Sequence, residues 1–276
     1  MANDNANVVY LIFDIETVVD GEIVSKVRYP GEGLSPHAAR ERFAKERMKS
    51  HGNDFIPHSY HIPVSIVVAK VAEDFSILDI VALDESECRP HILTKDFWQG
   101  WKAYACPAFV TFNGRGFDLP VMEAAAYRYG VSIAKWLLPH GPLHGQPRYR
   151  YNSGAHIDLY EMLTNFGAAP FHGGLNLAAS LLGKPGKMDV SGSDVQSMYD
   201  EGKLSEINAY CRCDVLDTYF VFLRSRVLTG KITLEQENAL VDKTKAWLEE
   251  RAGDNLGYQK YLEYWGDWVN PWLDRT

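Results

Sequence analysis

Four carboxylates and one tyrosine, spread over three segments, are the residues of this chain best suited to chemistry. They are Asp14 and Glu16 in FDIET (13–17), Asp118 at the end of FNGRGFD (112–118), and Tyr210 with Asp214 in YCRCD (210–214). Carboxylate oxygens are hard ligands, matched to magnesium or manganese rather than to softer ions. Two such ions about 3.5–4 Å apart stabilise both the attacking and the leaving oxygen of an in-line displacement. The four acids are therefore a candidate two-metal centre, provided the fold brings their segments together.

The surrounding residues supply elements that would do so. VVYLIF, ahead of the first pair, is β-branched and apolar and reads as a buried strand. Positions 14 and 16 then share one face of that strand. The second D-x-E, Asp20-Gly21-Glu22, sits instead on a turn signal. Asp118 opens LPVMEAAAYRYG, a helix candidate ended by Gly130. Tyr210 and Asp214, four apart, are neighbours on one helix face. That helix is supported by Ile207, Cys211, Val215, Thr218 and Phe222, an apolar stripe with Asp214 at its edge. Each segment also has a plain reading: a solvated turn, a glycine-rich turn with Asp118 as an N-cap, and a helix with a core-edge tyrosine. Their occurrence together, each on a suitable element, favours one shared site.

On these residues the chain resembles the DEDD superfamily of 3′-5′ exonucleases. It is most similar to the predicted stand-alone exonucleases related to the proofreading domain of family B DNA polymerases. FDIET matches the first motif of that superfamily, FNGRGFD the second, and YCRCD followed by VLDTY the third in its tyrosine form. The histidine form would place His at 209, where this chain has Ala209. The resemblance covers roughly residues 8–226. It implies an α/β, ribonuclease H-like fold with a mixed five- to six-stranded sheet covered by helices. It further implies Asp14, Glu16, Asp118 and Asp214 as ligands of two divalent ions, Mg2+ or Mn2+, with Tyr210 orienting water. The partner implied is a single-stranded nucleic-acid 3′ end, DNA favoured over RNA, in repair or proofreading, with nucleoside monophosphates released.

The same resemblance places Ile15 and Thr17 near the terminal nucleotide. Asn113 and Arg115 are candidates to reach a phosphate or orient their loop. Phe117 is a candidate for base stacking, with core packing slightly ahead. Asp158 and Asp217 are expected to support the ligands without holding metal. Two readings of another kind are a nucleic-acid-binding scaffold without turnover and a structure-specific endonuclease.

Composition sets the frame. With 276 residues, 46% of them hydrophobic, the chain can bury one substantial core and a small appendage, and it is too short to hold a polymerase as well. MANDNAN lacks the basic flank and apolar stretch of a signal peptide, and no apolar run reaches membrane-spanning length, so a cytoplasmic location without membrane association is expected. Cys88, Cys106, Cys211 and Cys213 form neither a disulfide framework nor a zinc spacing, and read as reduced thiols. The net charge of −8 lacks the basic footprint usual in nucleic-acid binders, although the proposed ligands contribute to it. Candidate basic patches are Lys135, His140, His144, Arg148 and Arg150, and Lys184 with Lys187.

The order of elements suits such a domain. VVYLIFDIE, PVSIVVAKV and FSILDIVAL read as a three-stranded meander, AFVTFN as a fourth strand and AHIDLYEML as a fifth. SPHAARERFAKERMKS is a charged helix candidate interrupting the first two strands, read as a solvated surface helix or an insertion over the site. Residues 1–228 are expected to form the exonuclease domain. Residues 229–276, an amphipathic helix followed by an aromatic-rich segment, read as an extension docked on it, with base stacking or oligomer contact as alternatives.

Overall fold

The computed structural model describes residues 7–137, 141–186 and 192–273. Its centre is a mixed five-stranded sheet: β1 Tyr10–Val19, β2 His61–Val71, β3 Ile77–Ala82, β4 Ala108–Thr111 and β5 His156–Asp158, in spatial order β3-β2-β1-β4-β5. The first three strands form the antiparallel meander read from their sequence, and β4 and β5 run parallel to β1. Helices α1 Gly21–Arg28 and α2 Pro36–His51 lie between β1 and β2, and α3 Pro90–Ala103 precedes β4. After β4 come α4 Asp118–Tyr129 and α5 Ala134–Leu137, and after β5 come α6 Leu159–Leu163, α7 Gly174–Ser180 and α8 Val195–Asp200. The chain continues through α9 Leu204–Leu228, α10 Leu234–Arg251 and α11 Leu256–Glu263.

The alternation of β1 divides the core in two. Leu11, Phe13 and Ile15 face α3 and α4, where Phe97, Trp98, Trp101, Phe109 and Trp136 form an aromatic nest. Ile12 faces the other way, onto Cys211, Val215, Leu216 and Phe222 of α9. Asp14 and Glu16 continue that second face. The stripe read for α9 is buried as expected, but so are Cys213, Phe220 and Leu223. The reason is that α10 and α11 cover the far side of α9 with Leu248, Tyr258 and Tyr261, so the helix is enclosed almost all round.

Several expectations are corrected. LYEML is not strand: β5 ends at Asp158, whose side chain caps α6 and so turns the chain into a helix. Asp20 does not sit on a free turn but caps α1 and pairs with Arg128. Phe117, not Asp118, occupies the N-cap position of α4. The basic patches are not free rails. Arg148 pairs with Glu123 and Arg150 with Glu161, and Lys184 is buried, donating to the Gly266 carbonyl at 2.8 Å under the Trp265 ring. Lys135 and His144 are exposed; His140 and Lys187 lie outside the described residues. Among the described residues no helix is long and apolar enough to cross a membrane.

Candidate active site

Asp14 and Glu16 stand on β1 just before a bulge between Glu16 and Thr17. Their carboxylates and the Cys211 thiol of α9 bring ligand atoms within 4.8 Å of one another. α9 is held in register above the strands by a buried polar contact, in which the Ser65 hydroxyl on β2 donates to Asn208 at 2.6 Å. That register sets Tyr210 and Asp214 over the same carboxylates.

Asp118 arrives from the other side of the strand ends. β4 pairs with β1 only through Tyr10, Leu11 and Ile12, so the backbone of β1 beyond them has no strand partner on that edge. The Asp118 carboxylate comes close to one of these groups, the Ile15 backbone N–H, which favours its charged form. The loop delivering it is tightly folded. The Gly114 N–H donates to Thr111 Oγ1 at 3.2 Å, and a Cβ at Gly114 would lie 2.4 Å from that oxygen. Asp158 holds the same loop from β5, accepting the N–H groups of Asn113 and Arg115, each at 2.9 Å, as well as those of Tyr160 and Glu161 in α6.

Burial and mutual repulsion govern the electrostatics. Burial, then the charges of Asp118, Asp214 and Glu16, hold Asp14 well above the usual carboxylate range. Glu16 is raised by burial, then by Asp214 and Asp118. Asp118 is pushed up to about 7, mainly by burial, against backbone N–H groups that favour its charged form. Asp214 is also pushed to about 7 by burial, opposed by the Tyr210 hydroxyl. Tyr210 is raised above its ordinary value by burial and by the charges of Asp214, Glu16 and Asp14, so its hydroxyl stays protonated. Among the described residues no lysine or arginine is a leading influence on the four acids. Four oxygen-donor side chains, all raised by burial and three of them also by a neighbouring member of the set, are short of positive charge, and a hard divalent cation fits that donor set.

The remaining candidates divide. Thr17 lies beside the carboxylates, with Oγ1 2.7 Å from His61 Nδ1. Phe117 is half-buried and packs against His61 and Phe55. Asn113 is exposed, at a positive φ of 64°. Ile15 buries its side chain on the opposite face, among the α3 and α4 residues, and offers the site only its backbone. Arg115 is not offered to a phosphate: its Nε donates to Glu161 at 3.0 Å and its Nη1 to the Arg148 carbonyl. Asp217 is fully buried, accepts from the Tyr261 hydroxyl at 2.7 Å and feels the charge of Asp214. Cys211, Asn208, Phe55 and His61 were not singled out as site residues, because each depends on pairing between segments remote in the chain.

No curated protein matches the chain. The family B DNA polymerase of the hyperthermophilic archaeon Pyrobaculum calidifontis is similar in structure at 17% sequence identity, with a TM-score of 0.48, over 79% of this chain and 24% of the polymerase. The chain thus spans about a quarter of that polymerase's length. Residues 53–268 match the family described as a predicted 3′-5′ exonuclease related to the exonuclease domain of PolB. That span contains Asp118, Tyr210 and Asp214, while Asp14 and Glu16 precede it. With most of its length matched, the chain belongs to this family of predicted 3′-5′ exonucleases.

Proposed function

We propose that this protein hydrolyses the terminal phosphodiester at the 3′ end of single-stranded nucleic acid, DNA in preference to RNA, and releases nucleoside monophosphates. The observation that carries this reading is the convergence of Asp14, Glu16, Asp118 and Asp214, wholly or partly buried at one place with their pKa values raised, within a member of a family of predicted exonucleases. These four side chains would hold two divalent ions, Mg2+ or Mn2+. When bound, such ions lower the pKa of a water and stabilise the departing 3′ oxygen.

The chain's own residues set the geometry. Asp14 and Glu16 share a strand face, and Asp214 is brought over them by α9. Asp118 is positioned by its loop, which Asp158 holds, with its carboxylate near the Ile15 N–H. Tyr210 keeps its proton and so serves to orient a water by hydrogen bonding rather than to take a proton from it.

A 5′-labelled single-stranded oligonucleotide incubated with magnesium or manganese tests the reading. A ladder shortening from the 3′ end, abolished by chelation, is expected. A single internal cut would instead indicate an endonuclease, and an unchanged band a binding protein. Full activity in excess chelator would exclude the metal centre.

A further inference from the structure

Beyond Glu16 and Thr17 the carboxylate site opens into a groove of about 640 Å³, within the roughly 300–1,000 Å³ usual for ligand pockets. Its outer wall is the segment inserted between β1 and β2: α2 and the stretch through Asp54, Phe55 and Ile56. That segment is anchored. Val24, Tyr29, Ala39, Phe43 and Ile56 form a small core of their own, and Arg40 on α2 pairs with Asp200 of α8 at 2.7 Å across the groove.

The floor is aromatic. The rings of Phe55 and His61 lie 5.6 Å apart, those of Phe55 and Phe117 6.2 Å, and those of His61 and Phe117 5.8 Å. Phe55 is supported by two ring neighbours yet remains 50% exposed, a surface that costs free energy unless something covers it. His61 is held uncharged. Its Nε2 faces the Ile56 carbonyl at 3.0 Å and so carries the proton, which leaves Nδ1 to accept from the Thr17 hydroxyl. Burial lowers its pKa in the same sense. Among the described ionisable groups lining the groove, Arg40 is already paired and His37 is the one other basic group besides His61, while Glu16, Glu41, Asp54 and Asp200 are acidic. A flat uncharged group suits this lining better than a phosphate does.

We propose that the insertion between β1 and β2 completes a pocket for the terminal nucleobase, with Phe55 stacking on the base over a floor shared with His61 and Phe117. This rests on the exonuclease reading and extends it: the terminal nucleotide is held by its base, whatever that base is, and must be unpaired to enter. Base–aromatic stacking is sequence-tolerant because every base has a π face.

The test compares oligothymidylate ending in a normal nucleotide with the same oligomer ending in an abasic tetrahydrofuran residue. KM is measured in manganese, and affinity in calcium by fluorescence anisotropy. The wild-type chain should favour the base-bearing end by about tenfold, the effect of a stack worth roughly 1.4 kcal/mol. Phe55→Ala and Phe55→Leu should lose that preference, whereas Phe55→Trp, which keeps a ring, should retain it. The Leu and Trp variants preserve bulk and carry the comparison if the Ala variant does not fold. A preference unchanged in Phe55→Leu would overturn the pocket. If the wild type shortens neither oligomer, the exonuclease reading fails by itself. The calcium affinities still decide the pocket, and equal affinity for the two ends would overturn it.

Discussion

Cys211 directs its thiol at Asp14, with Sγ 3.3 Å from the Asp14 carbonyl oxygen and 3.6 Å from carboxylate Oδ2. The thiol is a weak donor, but it is fully buried and comes from the helix that also supplies Tyr210 and Asp214. It thereby ties the first acid to the third segment before any metal is present. Partners that orient a ligand typically contribute 10- to 100-fold in metal affinity. Cys211→Ala is expected to weaken manganese binding by about tenfold, whereas Cys211→Ser, which keeps a donor, should lose less. Calorimetric titration of both variants measures this; unchanged affinity in Cys211→Ala would reduce Cys211 to a packing residue.

Tyr210 and Asp14 are expected to separate in their effects. Tyr210→Phe removes only a hydroxyl, so metal affinity should persist while turnover falls by roughly 10²–10⁴-fold, the range for positioned proton-transfer groups. Asp14→Asn removes a charge from the centre of the cluster, so metal affinity and turnover should fall together. Near wild-type turnover in Tyr210→Phe would remove its hydroxyl from the mechanism.

The raised carboxylates make stability depend on pH in a definite direction. Burial pushes Asp118 and Asp214 up to about 7 in the folded chain, well above the ordinary carboxylate range of about 4, and holds Asp14 and Glu16 up in the same direction. Between about 4 and 7 the folded state therefore binds more protons than the unfolded one, and stability falls as pH rises through that window. A divalent ion replaces those protons and stabilises the folded state by mass action. The melting temperature in chelator should thus drop from pH 5 to pH 8, and added magnesium or manganese should recover most of the loss at pH 8. A metal-free melting temperature independent of pH would show that folding does not raise the pKa of these acids.

Asp158 is expected to matter more than its distance from the reacting atoms suggests. It accepts N–H groups from Asn113, Arg115, Tyr160 and Glu161. Loss of a helix cap and of loop hydrogen bonds to a buried carboxylate costs about 2 kcal/mol or more. Urea unfolding of metal-free Asp158→Ala should show that loss, with reduced activity because the loop carrying Asp118 is released. A change below about 0.5 kcal/mol would mean the loop is held by other contacts.

Much of this architecture was legible in the chain because its signals are local. Alternation in VVYLIFDIE puts Asp14 and Glu16 on one face, and the stripe through Ile207, Cys211 and Val215 defines the buried side of α9. LYEML is ambiguous because apolar residues over so short a run suit strand and helix alike; the Asp158 side chain decides between them. The groove was beyond reach for a different reason. Phe55, His61 and Phe117 meet only after β1 and β2 pair and α4 docks, and nothing in HIPVSIVV signals that its first histidine will receive the Thr17 hydroxyl. For Arg115 the chain left a phosphate contact and loop orientation open, since its partner Glu161 lies 46 positions away; its contacts agree with the second.

The two faces of the sheet also differ optically. Trp98, Trp101 and Trp136 are buried within one nest, their ring centroids 5.7–6.0 Å apart, close enough for strongly coupled near-ultraviolet transitions. Trp247, Trp265 and Trp268 are only partly buried and Trp272 is exposed, all on the C-terminal side. Near-ultraviolet circular dichroism therefore reports the α3 and α4 layer, while quenching by a soluble quencher reports the segment after residue 228. Following both signals through one denaturation distinguishes a single cooperative unit, whose midpoints coincide, from a C-terminal segment that detaches first.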